Sequence, residues 1–212
     1  LFSFIYFFQL KILHVELIFL KLIIENNFLS SIFVVLCFLF IINGANLIDG
    51  YNGMLTIYLL IINSVLIYIN FENSNFELSF ILIGQVIILL SFLLFNFPRA
   101  KIFLGDGGAY LLGSLLALNV IITNNLNSNI SSFFFCTLLF YLFFEVFFSF
   151  FRKLYNRKSP FYPDDSHLHM LSFYKISTIY GKEKSNFLNS IFINFSFLIL
   201  IIPGIYFSDK PD

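Results

Sequence analysis

The chain has 212 residues, 59% of them hydrophobic and only 11% charged, with a mean hydropathy of +0.90. A soluble domain is about 45–50% apolar and about 25% charged, so this composition excludes an ordinary water-soluble fold. The formal net charge of zero gives no footprint for a nucleic-acid partner.

The first residues, 1–27, carry Lys11, His14, Lys21 and Glu25 on one side of a helical wheel, with Glu16 opposite. That pattern suits an interfacial amphipathic segment or an irregular loop. No basic start followed by a short apolar core and a small-residue cleavage site is present, and the chain begins with Leu1, as the middle of a longer protein would. Six apolar runs follow, at residues 28–48, 54–71, 78–97, 109–123, 133–151 and 187–207. A spanning helix needs roughly 20 predominantly apolar residues. The runs are continuous rather than alternating, which selects helices over a closed barrel. The fold class expected is therefore all-α, a single transmembrane bundle of about six spans over 1–212, with a polar loop at 152–186. Cys37 and Cys136 sit inside apolar runs and are expected to be apolar filler rather than a disulfide or a metal site.

The basic residues are distributed unevenly. Nine of the 12 Lys and Arg lie in the loops after the third and fifth runs: Arg99, Lys101, Arg152, Lys153, Arg157, Lys158, Lys175, Lys182 and Lys184. The positive-inside rule assigns that side to the cytoplasm. Parity then places the loops after the first, third and fifth runs together on one face. That is the arrangement a reaction centre at a membrane surface requires.

The first of these loops contains Asn43, Asn46, Asp49 and Asn52 among Gly44, Gly50 and Gly53. Asn46, Asp49 and Asn52 are spaced by three and share a face if the helix continues. Their carboxylate and amide oxygens are hard donors suited to Mg²⁺ or to hydrogen-bonding a nucleotide. A helix cap is the simpler explanation of the same residues. The second loop places Asp106 among Gly105, Gly107 and Gly108, after Pro98, Arg99 and Lys101. Glycines allow close backbone approach, and the helix start behind them offers free N–H groups to a phosphate. Asp106 would hold Mg²⁺ and Lys101 or Arg99 would neutralise phosphate charge; capping and interfacial anchoring are the alternatives. The third loop holds His167 and His169. At i and i+2 they do not share a helix face, but both could face a ligand from a turn or extended segment, and phosphate or sugar contacts are favoured over zinc for want of further ligands. Glu145, inside the fifth run, is a functional candidate by location unless it pairs with a loop cation.

Taken together, these loops resemble the polyprenyl-phosphate N-acetylhexosamine-1-phosphate transferases, the glycosyltransferase family 4 group that includes WecA, WbpL and MraY. Residues 46–53 resemble its Asn-x-x-Asp-Gly-x-x-Gly motif. Residues 103–108 resemble its Phe-x-Gly-Asp-x-Gly segment, and residues 159–169, SPFYPDDSHLH, resemble the His loop of the WecA-like branch. The resemblance implies transfer of an amino-sugar-1-phosphate from a UDP-sugar to a polyprenyl (undecaprenyl) phosphate, with release of UMP, at a bacterial plasma membrane. It implies Mg²⁺, or Mn²⁺ in its place, on Asn46 and Asp106. Catalytic roles fall to Asp49 and Asp106, and substrate contacts to Asn46, Asp49, Asn52, Lys101, His167 and His169; a homodimer is compatible with it. Asp165, Met170 and Asn52 depart from the family's usual Arg, His and Asp. The family's Asp-Asp pair of an earlier loop has no counterpart here, so the chain is expected to be a C-terminal portion of such an enzyme. A non-catalytic membrane scaffold and a transporter are the competing readings. Against a transporter, the polar groups gather at helix ends rather than at mid-membrane.

Overall fold

The computed structural model describes residues 2–7, 9–157 and 166–208. Its described residues form ten helices: α1 (Phe2–Phe7), α2 (Ile18–Glu25), α3 (Asn27–Ile48), α4 (Met54–Glu72), α5 (Phe76–Asn96), α6 (Gly105–Leu126), α7 (Ser132–Leu138), α8 (Phe140–Tyr155), α9 (Leu168–Tyr180) and α10 (Lys182–Tyr206). Five of them, α3, α4, α5, α6 and α10, are long and apolar enough to cross a membrane, and α7 with α8, bent by 68°, passes the same test as a pair, which brings the count to six if the pair is one span. The protein is thus an all-helical, multi-pass membrane protein. The fourth run is longer than its apolar stretch suggests, because α6 starts at Gly105 and ends at Leu126.

Side-chain size sets which helices approach one another. Gly113 of α6 faces α3 so closely that an added Cβ would lie 3.0 Å from both Ala45 Cβ and Ile42 Cα. Gly44 on α3 faces α8, where a Cβ would meet Leu142 Cβ at 2.8 Å. Without a hydrophobic driving force between helices in lipid, such small-residue contacts supply close packing. They bring α6 and α8 against the same central helix α3. On the other side α4 packs between α5 and α10, and α9 folds back along α10. The outer surface of α5 (Ile87, Ile88, Leu94) is exposed and faces lipid.

The bend between α7 and α8 falls at Leu139. Buried Tyr58 of α4 donates its hydroxyl to the Leu138 carbonyl at 2.9 Å. A carbonyl released from a helix inside a bilayer needs such a donor. The N-terminal stretch is not one amphipathic helix. Residues 10–17 run without regular structure ahead of α2, so Lys11 and Lys21 do not share a helix. Its backbone is clasped instead: Asn125 Oδ1 accepts from Leu13 N (2.8 Å), while Asn125 and Asn124 donate to the Lys11 and His14 carbonyls. Cys37 and Cys136 are free thiols and line a small apolar cavity under this stretch.

Candidate active site

The loops after the first, third and fifth spans meet at one end of the bundle. Helix α3 stops at Ile48, with Asp49 as its C-cap residue, and the chain turns through Gly50–Gly53 into α4. Gly53 sits at φ +74° with Phe97 and Leu93 against it, a left-handed conformation that a side chain would strain. The turn is pinned from two directions. Gly53 N donates to Asn96 Oδ1 at 2.6 Å, and Asn52 N donates to Asn186 Oδ1 at 2.8 Å. The Asn52 amide itself donates to the Pro98 carbonyl at 2.9 Å. The second loop is held in turn: Asn96 Nδ2 donates to the Ile102 carbonyl (2.8 Å), and Lys101 N donates to the Phe95 carbonyl (2.8 Å).

Because α3 ends where it does, Asn46 and Asp49 do not continue onto one helical face with Asn52. Asn46 and Asp49 belong to the junction of α3 with α6. Asn46 Nδ2 lies 3.4 Å from the Tyr110 hydroxyl, and Tyr110 is one helical turn beyond Asp106 in the first part of α6. Asp49 senses the charge on Asp106: its carboxyl is pushed up to about 6, first by burial and then by repulsion from Asp106. Among the described residues neither carboxylate makes a hydrogen bond or ion pair, and Asp106 is exposed. Asn52 instead lines an open cleft of about 660 Å³ together with Arg99, Phe173, Lys182, Lys184 and Asn186. Lys101 is exposed beside it in sequence.

The third loop enters through Glu145. This residue of α8 is fully buried and each carboxylate oxygen takes one imidazole: His169 Nδ1 at 2.9 Å on one, His167 Nδ1 at 3.1 Å on the other. The N–H groups of Leu168 and His169 and the Tyr141 hydroxyl also donate to Glu145. The two rings stack at 5.4 Å with planes 8° apart. Spacing of two thus does place both imidazoles together, because His167 precedes α9 in extended conformation and His169 lies in its first turn. Asn189 holds the His169 carbonyl at 2.7 Å, and Tyr51 packs edge-on against the His169 ring. A Cβ on Gly50 would lie 3.8 Å from His169 Nε2, so the His loop and the first motif are in contact. Arg152 donates to the Ser166 carbonyl and lies 5.0 Å over the Phe148 ring. Residues 159–165 of the expected His-loop motif lie outside the described residues.

Tyr110, Asn96 and Asn186 are absent from the residues singled out by sequence. Tyr110 was discoverable by its i+4 spacing from Asp106; Asn96 and Asn186 carry no local signal. As a cation site, the α3–α6 junction offers two carboxylates and an amide. No group of three or more His, Cys, Asp or Glu gathers among the described residues, which argues against a closed zinc-type cage. The donor set suits a hard cation that keeps waters and substrate oxygens in its shell.

Residues 1–124, which contain both the Asn46–Gly53 and the Asp106 segments, match the model for glycosyl transferase family 4. An undecaprenyl-phosphate alpha-N-acetylglucosaminyl 1-phosphate transferase of Thermotoga maritima is 31% identical over 157 residues, 74% of this chain and 46% of the relative. Phospho-N-acetylmuramoyl-pentapeptide-transferases of Streptococcus sanguinis and Lactobacillus gasseri are 34% and 33% identical over 94 residues, 44% of this chain and 29% and 30% of theirs. The chain spans less than half the length of these curated relatives. With more than half of its residues matched and both acidic segments inside the match, the chain belongs to glycosyl transferase family 4.

Proposed function

We propose that the protein transfers an amino-sugar-1-phosphate from a UDP-sugar to a polyprenyl phosphate, releasing UMP, with the motif loops on the cytoplasmic face of a bacterial plasma membrane. The observation that carries this reading is the convergence of three separate loops at one end of a membrane bundle. They contribute two unpaired acids, a cleft with basic residues, and a buried imidazole pair. Phosphoryl transfer asks a protein mainly for positioning and charge stabilisation, and those are the elements gathered here.

In this reading Asn46 and Asp106, with Asp49 beside them, hold Mg²⁺, which when bound neutralises the diphosphate and the charge developing at phosphorus. Asp49 and Asp106 repel one another without a cation, which supports a divalent ion between them. The cleft beside Asn52 falls within the roughly 300–1,000 Å³ range of small-molecule sites. Its Arg99, Lys182 and Lys184 suit an anionic nucleotide, with Lys101 nearby in the loop. His167 and His169 face the donor's sugar and its phosphate. The lipid acceptor reaches the same end of the bundle from the bilayer, since the site lies where the spans emerge.

The test is direct. Membranes containing the protein are given UDP-N-acetylglucosamine and undecaprenyl phosphate, and UMP and lipid-linked product are measured with and without Mg²⁺. Metal-dependent UMP release stoichiometric with lipid product is expected. Absence of both products across UDP-GlcNAc, UDP-GalNAc and their deoxy analogues would favour the scaffold reading.

A further inference from the structure

The described residues contain one fully buried acid in a spanning segment, Glu145, and it has five donors around it. Neither the metal-binding acids nor the basic cleft explains it. An intramembrane carboxylate is costly unless fully hydrogen-bonded, and here the bonding is specific in kind. Each oxygen of Glu145 receives the Nδ1 of one imidazole, at 2.9 and 3.1 Å. A carboxylate is acceptor-only, so each Nδ1 must carry the hydrogen. The tautomer is thereby set at both histidines, by the same second-partner logic that orients ligand histidines in metal sites.

The consequence lies on the far side of the ring. His169 is fully buried, and its Nε2 has no hydrogen-bond partner among the described residues. It lies beside Gly50 of the first motif, where an added Cβ would come within 3.8 Å of it. An Nε2–H there, added to the Nδ1–H, would make the ring an imidazolium and bury a donor opposite no acceptor. A neutral ring with Nδ1–H costs less and leaves Nε2 as a lone-pair acceptor. We infer that Glu145 is a positioning residue that locks His167 and His169 as Nδ1–H tautomers, so that His169 Nε2 accepts a hydrogen bond from a hydroxyl or acetamido N–H of the sugar. This sharpens the reading of His169 proposed above, because a lone pair repels phosphate oxygens and welcomes a donor. The sugar contact rests on the proposed function, whereas the tautomer does not.

The chain contains three histidines, which makes the tautomers measurable. The full chain, labelled with ¹⁵N-histidine and held in nanodiscs, is examined by two-bond ¹H–¹⁵N correlation, with His14 assigned through His14→Gln. Nδ1–H patterns are expected for both His167 and His169. In Glu145→Gln the single amide oxygen serves one Nδ1–H, and the amide N–H₂ forces the other ring to Nε2–H. Glu145→Asp keeps two equivalent oxygens and retains the wild-type pattern. An Nε2–H signal from either loop histidine in the wild type, or an unchanged pattern in Glu145→Gln, overturns the inference; the wild-type arm needs no variant to fold. Where turnover of the UDP-sugar is measured, Glu145→Gln raises its KM about tenfold or more and Glu145→Asp recovers most of it. A KM that is unmoved in Glu145→Gln removes the link to the sugar. Wild-type tautomers as expected with no turnover at all would instead refute the proposed function and leave the clamp standing.

Discussion

The two ends of the bundle are both rich in asparagine, yet Glu16 at one end and Asp49 and Asp106 at the other are treated differently. At the end away from the motif loops, the side chains bond to one another as well as to backbone. Asn70 donates to Thr123 Oγ1 (3.0 Å), Asn127 donates to Asn70 (3.2 Å) and to the Thr123 carbonyl (2.7 Å), and Asn75 donates to Asn127 (3.0 Å). Glu16 is taken up by the Ser131 hydroxyl and the Ser132 N–H. At the motif end, Asn52, Asn96 and Asn186 bond to backbone and shape the loops, but Asp49 and Asp106 are left without protein partners among the described residues. Buried polar groups are normally satisfied. The difference teaches that asparagine at a helix end is structural by default, and that unpaired acids held close enough to repel mark the chemistry.

The sharpest way to break this contrast is Asp106→Asn. The amide preserves shape and removes the charge, so UMP release should fall by about 10²–10³-fold or more, while insertion and thermal unfolding in detergent stay unchanged. Full retained turnover would remove Asp106 from the reaction. The converse variant, Asn127→Ala at the other end, should lower stability by about 1–3 kcal/mol, because it strands buried partners. Its turnover per folded molecule should match the wild type, and a selective loss of kcat would show that the two ends are coupled. His169→Ala should raise KM for the UDP-sugar by about tenfold, with insertion and overall stability affected less. An unchanged kinetic profile would return that histidine to a purely structural role.

How much of this was legible beforehand depended on whether the signal was local. The spans follow from continuous apolar runs, and loop convergence follows from parity and the placement of Lys and Arg. The bend at Leu139 does not, since residues 132–155 contain neither Gly nor Pro to mark a break. For the N-terminal stretch the loop alternative holds over residues 10–17, and the wheel pattern could not decide it: such a pattern is indifferent to whether the helix exists, and the stretch is held by bonds to Asn124 and Asn125 more than a hundred residues away. Among site residues, Asn46 lies in the last turn of α3 and Asp49 caps it, while Asn52 leaves their face because α3 stops at Ile48. Glu145 was visible as an anomaly in an apolar run. Its partners, 22 and 24 residues on, became evident only once the start of α9 met Glu145 of α8.

The smallest expected effect probes the electrostatics of the acid pair. Burial and, next, Asp106 push the Asp49 carboxyl up from its ordinary value of 3.8 to about 6. Between those values the folded state holds a proton that the unfolded chain has released. Linkage then makes stability contributed by this group fall as pH rises through that window, and recover as pH falls below it. A cation between Asp49 and Asp106 reverses the sense, since it favours the ionised acid and expels the proton. With its pKa raised to about 6, Asp49 gives up much of its charge between pH 7 and pH 5. Mg²⁺ affinity, followed by metal-dependent thermal stabilisation in detergent, should therefore weaken several-fold from pH 7 to pH 5. The same dependence should be flattened in Asp49→Asn. In Asp106→Asn the repulsion is removed and the midpoint should move down towards the ordinary carboxylate value, though not fully, because burial is the larger cause. A midpoint that stays near 6 in Asp106→Asn would mean that the two acids do not sense one another, and the junction of α3 and α6 would lose its claim to be the cation site.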